Sequence, residues 1–141
     1  MRTTVPLLLA FLAAAPVAAK DLRVLVSGIE SDQGEIACLL FQQEEGFPNR
    51  FDSAFNQVKY PAVTGMLTCT FSDVEPGRYA VSVVHDENGN RKVDTSFIGT
   101  SKEAWGVTNN VRPARRSPRF SEAAIWVSAT QMADYEVVVS R

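Results

Sequence analysis

The sequence contains few of the residues that build metal and catalytic centres. Its 141 residues include one histidine and two cysteines, which argues against a zinc site built from Cys and His ligands. It has no Cys-x-x-Cys pair, typical of thiol redox centres, and no Gly-x-Ser-x-Gly nucleophile turn. The formal net charge of −2 gives no electrostatic reason to expect a nucleic-acid partner. After residue 19, no apolar run approaches the roughly 20 residues of a transmembrane helix, so we expect no membrane span in the mature chain.

The first nineteen residues have the three-part pattern of a secretory signal peptide. Arg2 supplies a positive charge, residues 5–15 are almost wholly apolar, and Val17-Ala18-Ala19 offers small residues before a cleavage point. We therefore predict a signal peptide over residues 1–19 and a single mature domain over residues 20–141. The mature protein is expected in the periplasm or outside the cell.

Alternating apolar and polar residues predict that the mature chain consists of strands. The segments expected to form strands are residues 22–26, 36–40, 67–71, 79–83, 123–127 and 135–139. Residues 47–56 are typical of a loop with one helical turn. Because the strands are short and no helix of ordinary length is indicated, we predict an all-β fold. The expected fold is an antiparallel β-sandwich of immunoglobulin-like or transthyretin-like architecture. The long polar stretch over residues 86–119 predicts one ordered loop excursion.

Several spaced motifs follow one another in a fixed order from Phe71 onward. They are Pro76-Gly77-x-Tyr79-Ala80-Val81, His85-Asp86-Glu87-Asn88-Gly89-Asn90, Asp94, Lys102-Glu103-x-x-Gly106, Asn109-Asn110 and Pro118-x-Phe120-x-Glu122-Ala123. Together they resemble an uncharacterised group of small exported bacterial proteins, domain-of-unknown-function family 2141. The resemblance implies a secreted or periplasmic β-sandwich, and it implies no established activity.

The loop after residue 85 is rich in side-chain oxygens, the ligands that calcium prefers. The candidate ligands are Asp86, Asn88, Asn90 and Asp94, with the backbone carbonyl of Lys92. They match positions 1, 3, 5, 9 and 7 of a calcium loop, whereas the usual Gly at position 6 and Glu at position 12 are absent. One hypothesis is a calcium site with a dissociation constant of roughly 0.1–1 mM. The other is a hairpin loop whose Asp and Asn side chains bond their own backbone amides.

His85 is the only histidine, and it continues the inward-facing row of the strand before it. A hydrolase or another enzyme would pair it with Asp86, Asp94 or Glu103 for acid–base work. The alternative, which we favour because no nucleophile motif accompanies it, is a structural histidine that bonds loop carbonyls or carboxylates.

Cys38 and Cys69 each occupy the inward phase of a predicted strand. Two such cysteines usually form a disulfide in the oxidising compartments outside the cytosol, so we predict a structural disulfide. The alternative is two buried thiols that act as small apolar groups.

Two further features of the polar excursion are candidate binding surfaces. A basic segment suits phosphate or a polyanionic glycan, and a tryptophan suits a sugar or a protein partner. The residues are Arg112, Arg115, Arg116 and Arg119 in the basic segment, and Trp105. The alternative for the arginines is a solvated loop, and for Trp105 it is packing against the sheet.

These patterns favour a non-enzymatic binding or structural module of the cell envelope. The expected partner is a cell-envelope glycan or protein, with calcium as a conditional ligand. An enzyme that uses His85 is the alternative.

Overall fold

The computed structural model describes residues 12–16, 19–90 and 103–141. Within these ranges the chain forms strands, two short 3₁₀ turns (Phe51–Ser53 and Thr108–Asn110) and one short helix. The elements are β1 (Lys20–Ile29), β2 (Glu35–Phe41), β3 (Asn56–Pro61), β4 (Gly65–Val74), β5 (Gly77–Asp86), β6 (Trp105–Val107), α1 (Phe120–Ala123), β7 (Ile125–Val127) and β8 (Ala133–Val138). No helix in this part of the chain is long and apolar enough to cross a membrane.

Two sheets pack face to face and confirm the predicted all-β sandwich. One sheet has the strand order β4-β1-β8, and the other has the order β3-β2-β5-β6, with β7 paired to the beginning of β5. The pairings are antiparallel except for β1 with β8, which run parallel over Leu22 to Ser27. The sandwich is therefore mainly antiparallel, as predicted, with one parallel pair of strands.

The main core lies between the two sheets and follows the alternation in the sequence. Leu22, Val24 and Val26 of β1 are fully buried, as are Val81 and Val83 of β5. Their intervening neighbours on β1 are partly or fully exposed. The period-two pattern thus places one face of β1 against the core and the other toward solvent.

The second sheet is also covered on its outer face. A second apolar cluster there consists of Leu39, Phe41, Phe47, Ala80, Trp105, Val107, Phe120 and Ala123. Because β2 and β5 are buried on both faces, they carry nearly continuous apolar runs. The loop after β2, together with β6 and α1, supplies this cover, so the polar excursion contributes Trp105 and Val107 to a packed cluster.

The predicted disulfide is confirmed. Cys38 on β2 and Cys69 on β4 are bonded, with their Cα atoms 6.5 Å apart. Because β2 and β4 belong to different sheets, the bond joins the two layers through the middle of the core.

A tyrosine closes the turn between β4 and β5. The Tyr79 hydroxyl donates a 2.8 Å hydrogen bond to the carbonyl of Glu75, across the turn at Pro76 and Gly77. This contact fixes the corner from which β5 starts, and β5 carries the candidate site at its other end.

The local elements differ from the prediction at three places. Strand β3 was not predicted, whereas the helical turn at Phe51–Ser53 is the one predicted in the loop. Short β6 lies inside the polar excursion. The strand predicted over residues 123–127 begins only at Ile125, because Ala123 is the last residue of α1.

Candidate functional site

His85 lies at the end of β5 and is buried, with only 1% of its surface exposed. Its Nε2 atom is 2.7 Å from the carbonyl oxygen of Gln33, in the turn between β1 and β2. A carbonyl only accepts, so Nε2 is the donor and carries the proton. The ring therefore ties the end of β5 to the neighbouring turn, which is the structural role expected of it.

An acidic and basic cluster surrounds the other ring nitrogen. His85 Nδ1 is 3.9 Å from Glu87 Oε1, and the same carboxylate oxygen accepts a 2.6 Å hydrogen bond from Arg141. The Arg141 guanidinium also lies 3.7 Å from Glu30 at the end of β1. Glu87 is therefore much closer to Arg141 than to His85. The cluster joins the two sheets at this end of the sandwich.

The turn that receives His85 is packed closely against the loop after β5. Gly34 has a φ of +71°, and a Cβ added there would lie 2.1 Å from the Asp86 carbonyl oxygen. A side chain at this position would therefore clash with backbone atoms as well as strain its own backbone.

The side-chain oxygens of the candidate calcium loop bond their own backbone. The backbone N–H of Asn90 donates to Asp86 Oδ1 at 3.2 Å and to Asn88 Oδ1 at 3.1 Å. Asp86 is buried, whereas Asn88 and Asn90 are exposed. The other two candidate ligands, Lys92 and Asp94, lie outside the described residues. Among residues 12–16, 19–90 and 103–141, no group of three or more His, Cys, Asp or Glu side chains could hold a metal ion.

Glu103 and Trp105 lie on the chain that flanks the end of β5. Both are buried, at 4% and 3% exposure, and the carbonyl of the intervening Ala104 accepts the backbone N–H of His85 at 2.9 Å. Trp105 packs in the outer cluster, which is the architectural alternative for this residue. It offers no exposed ring for a ligand.

Arg112 covers Trp105. Its guanidinium lies 3.9 Å from the centre of the Trp105 ring. It also donates to the backbone carbonyls of Trp105, at 2.5 Å, and of Ser140, at 2.8 Å. Burial lowers the pKa of this guanidinium from its ordinary value. Arg112 thereby joins β6 to the chain after β8 and is occupied within the fold.

The remaining arginines of the basic segment are divided between structure and solvent. Arg116 makes a bidentate pair with Glu122, at 2.9 and 2.6 Å, and Glu122 also accepts the backbone N–H of Arg119. These contacts, the Arg116 hydrogen bond first, lower the pKa of Glu122 from 4.5 to about 2. Arg115 and the side chain of Arg119 face solvent. The four arginines therefore do not form one continuous patch.

An exposed aromatic surface lies elsewhere, at the beginning of β5. Trp126 is 71% exposed, and its strand partner on β5 is Arg78. The Arg78 guanidinium lies 5.5 Å from the centre of the Phe120 ring. The sequence carried a signal for Trp126, because its neighbours Ile125 and Val127 alternate with it and are buried.

The polar groups at the end of β5 hold this end of the sandwich together. The class that these features define is a β-sandwich with a disulfide between its layers. Residues 24–134 match the family described as an uncharacterized protein conserved in bacteria (DUF2141), and the chain belongs to this family. Comparison with curated proteins and with solved structures gives no match.

Proposed function

We propose that the protein is an exported module of the cell envelope that acts by binding and not by catalysis. The observation that carries this proposal is the state of His85. Its ring is buried, and Nε2 is engaged with the Gln33 carbonyl. A general acid or base must reach a substrate proton within hydrogen-bonding distance, and a ring held in this way offers no such access.

Export is supported by two independent features. The first nineteen residues have the pattern of a signal peptide, with cleavage expected before Lys20. The Cys38–Cys69 bond is of the kind that persists in oxidising compartments and is rare in the cytosol. The expected location is therefore the periplasm or the outside of the cell.

The enzyme hypothesis and the calcium hypothesis both depend on the same end of β5. For an enzyme, His85 would have to leave Gln33 and face a substrate together with Asp86 or Glu103, which are also buried. For calcium, Asp86 and Asn88 would have to accept an ion in addition to the N–H of Asn90. Calcium binding stays a prediction of the sequence, and the binding function proposed here does not require it.

The test is a comparison of two activities of the purified mature protein. Saturable co-sedimentation with protease-treated cell-envelope fragments would support a binding role. Turnover of chromogenic esters, phosphates or glycosides that His85→Gln abolishes would overturn the proposal. Because Gln can also donate to the Gln33 carbonyl, this variant keeps the structural hydrogen bond while removing the acid–base group. Binding that survives in His85→Gln, without turnover in the wild type, is the expected result.

A further inference from the structure

Trp126 is held outward by the strand that carries it. It is the middle residue of β7, and both neighbours, Ile125 and Val127, are buried in the main core. Successive side chains of a strand point to opposite faces, so the buried neighbours force the indole toward solvent. Trp126 is 71% exposed, whereas the other tryptophan, Trp105, is 3% exposed.

The backbone around the indole is fixed from two sides. β7 pairs with β5 through three consecutive positions, from Gly77–Val127 to Tyr79–Ile125. From the side of β8, the Tyr135 hydroxyl donates a 2.9 Å hydrogen bond to the Trp126 carbonyl. An exposed aromatic ring on a fixed backbone loses little conformational entropy when a ligand stacks on it.

A positive charge lies beside this ring. Arg78 is directly opposite Trp126 on β5, and directly opposite side chains in an antiparallel pair are close neighbours. In the described part of the chain no carboxylate lies within ion-pair distance of Arg78, in contrast to Arg23, which pairs with Asp134. The Arg78 fork is instead supported by the Phe120 ring below it, at 5.5 Å.

Two acidic groups close to Phe120 are already engaged. Glu122, two residues after Phe120, forms the bidentate pair with Arg116. Glu44 accepts the backbone N–H of Phe120 at 2.7 Å. The side chain of Arg119, next to Phe120, is exposed and lies close enough to Glu122 to favour its carboxylate. Among the described residues, the surface therefore presents an exposed aromatic ring beside Arg78, which forms no ion pair there.

We propose that the surface formed by Trp126 and Arg78, with the buried Phe120 ring beneath the Arg78 guanidinium, binds a polysaccharide that contains uronic acids. The indole stacks on the apolar C–H face of one sugar ring, and the Arg78 guanidinium donates two parallel N–H hydrogen bonds to the carboxylate of a uronic acid, a geometry that a guanidinium fork favours. This inference deepens the proposed binding function by naming the class of ligand.

A sugar fits the surface better than a protein or a nucleic acid does. Stable protein interfaces bury several hundred square ångströms on each partner around an apolar centre, whereas the argument here rests on the exposed ring of Trp126. Single-stranded nucleic acid is gripped by several aromatic rings along a basic groove. One exposed ring opposite one arginine on the neighbouring strand offers an acidic sugar both a stacking face and a partner for its carboxylate.

The experiment is calorimetric titration of the mature protein with oligogalacturonate, with an uncharged oligosaccharide of the same length as the comparison ligand. We expect saturable binding of oligogalacturonate that weakens as salt is added, because the carboxylate contact is screened. Trp126→Ala and Arg78→Gln should each weaken binding by at least about tenfold. Arg78→Lys keeps the charge but loses the planar guanidinium, so it should bind more tightly than Arg78→Gln and less tightly than the wild type.

Two variants on the other sheet serve as matched controls. Met66→Ala removes an exposed apolar side chain, which is 63% exposed on β4, and Arg23→Gln removes one positive charge from β1. Both should bind as the wild type does.

Equal affinity in Trp126→Ala, or binding of the uncharged oligosaccharide as tightly as oligogalacturonate, would overturn the inference. So would preferential binding to vesicles of anionic phospholipid or to a protein component of the envelope. Envelope binding without oligogalacturonate binding overturns this inference alone, while the loss of both overturns the proposed function as well.

Discussion

The guanidinium of Arg112 lies over the Trp105 ring, 3.9 Å from its centre, at the edge where the two sheets meet. Beneath it, Trp105 and Ser140 exchange two backbone hydrogen bonds of 3.1 Å. The same guanidinium donates to the carbonyls of both residues. One side chain therefore supports β6 of one sheet and the chain that follows β8 of the other.

Arg112→Met should destabilise the protein. The substitution keeps an apolar stem over Trp105 but removes two charge-assisted hydrogen bonds and the cation–π contact, so we expect a loss of about 1–3 kcal/mol in the free energy of unfolding. Urea unfolding measures it. Arg115→Met, three residues along the chain and exposed, is the control and should change the free energy by less than about 0.5 kcal/mol. If Arg112→Met and Arg115→Met were equally stable, the contacts of Arg112 would not contribute to the stability of the fold.

Removing the Cys38–Cys69 bond should lower stability without abolishing binding to the envelope. The cysteines are 31 residues apart, and the chain-entropy model gives about 3–4 kcal/mol for a loop of this length. Thermal melting of Cys38→Ala/Cys69→Ala against the wild type checks it. Reductant should bring the wild type close to the double variant and leave the double variant unchanged. A wild type that melts identically with and without reductant would contradict the prediction.

Glu122 should make stability depend on acid pH. Its pKa is about 2 in the folded protein against an ordinary value of 4.5, because Arg116 and the Arg119 amide favour the carboxylate. The folded state therefore binds the proton less readily than the unfolded state does. The resulting stabilisation is complete above the ordinary pKa and is lost as the pH falls toward about 2.

The comparison is between the wild type and Glu122→Gln, melted at several pH values between about 5 and 2. Over this pH range, the melting temperature of the wild type should fall by more than that of Glu122→Gln. Glu45→Gln, an exposed glutamate outside the Arg116 pair, should follow the wild type. Parallel curves for wild type and Glu122→Gln would show that the pair with Arg116 has no influence on stability.

Millimolar calcium should leave the melting temperature of chelator-treated protein unchanged. The oxygens of Asp86 and Asn88 already accept the N–H of Asn90, which is the behaviour of a capped hairpin loop. A bound ion would instead stabilise the folded state by about 1.4 kcal/mol at ten times the dissociation constant. A rise in melting temperature with calcium but not with magnesium, lost in Asp94→Ala, would establish the site in place of the loop.

The sequence predicted those parts of the fold that depend on local periodicity. Leu22, Val24 and Val26 alternate clearly, and the inward phase of Cys38 and Cys69 was enough to predict their bond. Strand β3 was not predicted because only Val58 and Tyr60 form its apolar alternation. The strand is defined instead by its hydrogen-bonded pairing with β2. The parallel pairing of β1 with β8 is a long-range event for which the local pattern has no signal.

At the candidate site too, the sequence predicted local character but not the contacts made by residues far apart in the chain. The oxygen-rich composition of the loop after β5 marked it as polar and tight, yet the composition suits an ion and a backbone amide equally well. Trp105 drew attention through its polar neighbours, while its burial depends on Arg112 and on the outer cluster. Trp126, between two core residues, is the tryptophan that reaches solvent.

The pairing of β1 with β8 also determines when the protein can finish folding. Arg23 and Asp134, which face each other across these strands, are 111 residues apart in sequence. If the chain is exported from its N-terminus, β1 emerges early with β8 still absent, so its sheet lacks one of three strands. Contacts at such sequence separation slow folding. If the chain is exported in this way, we expect it to need protection from aggregation until its last strand arrives.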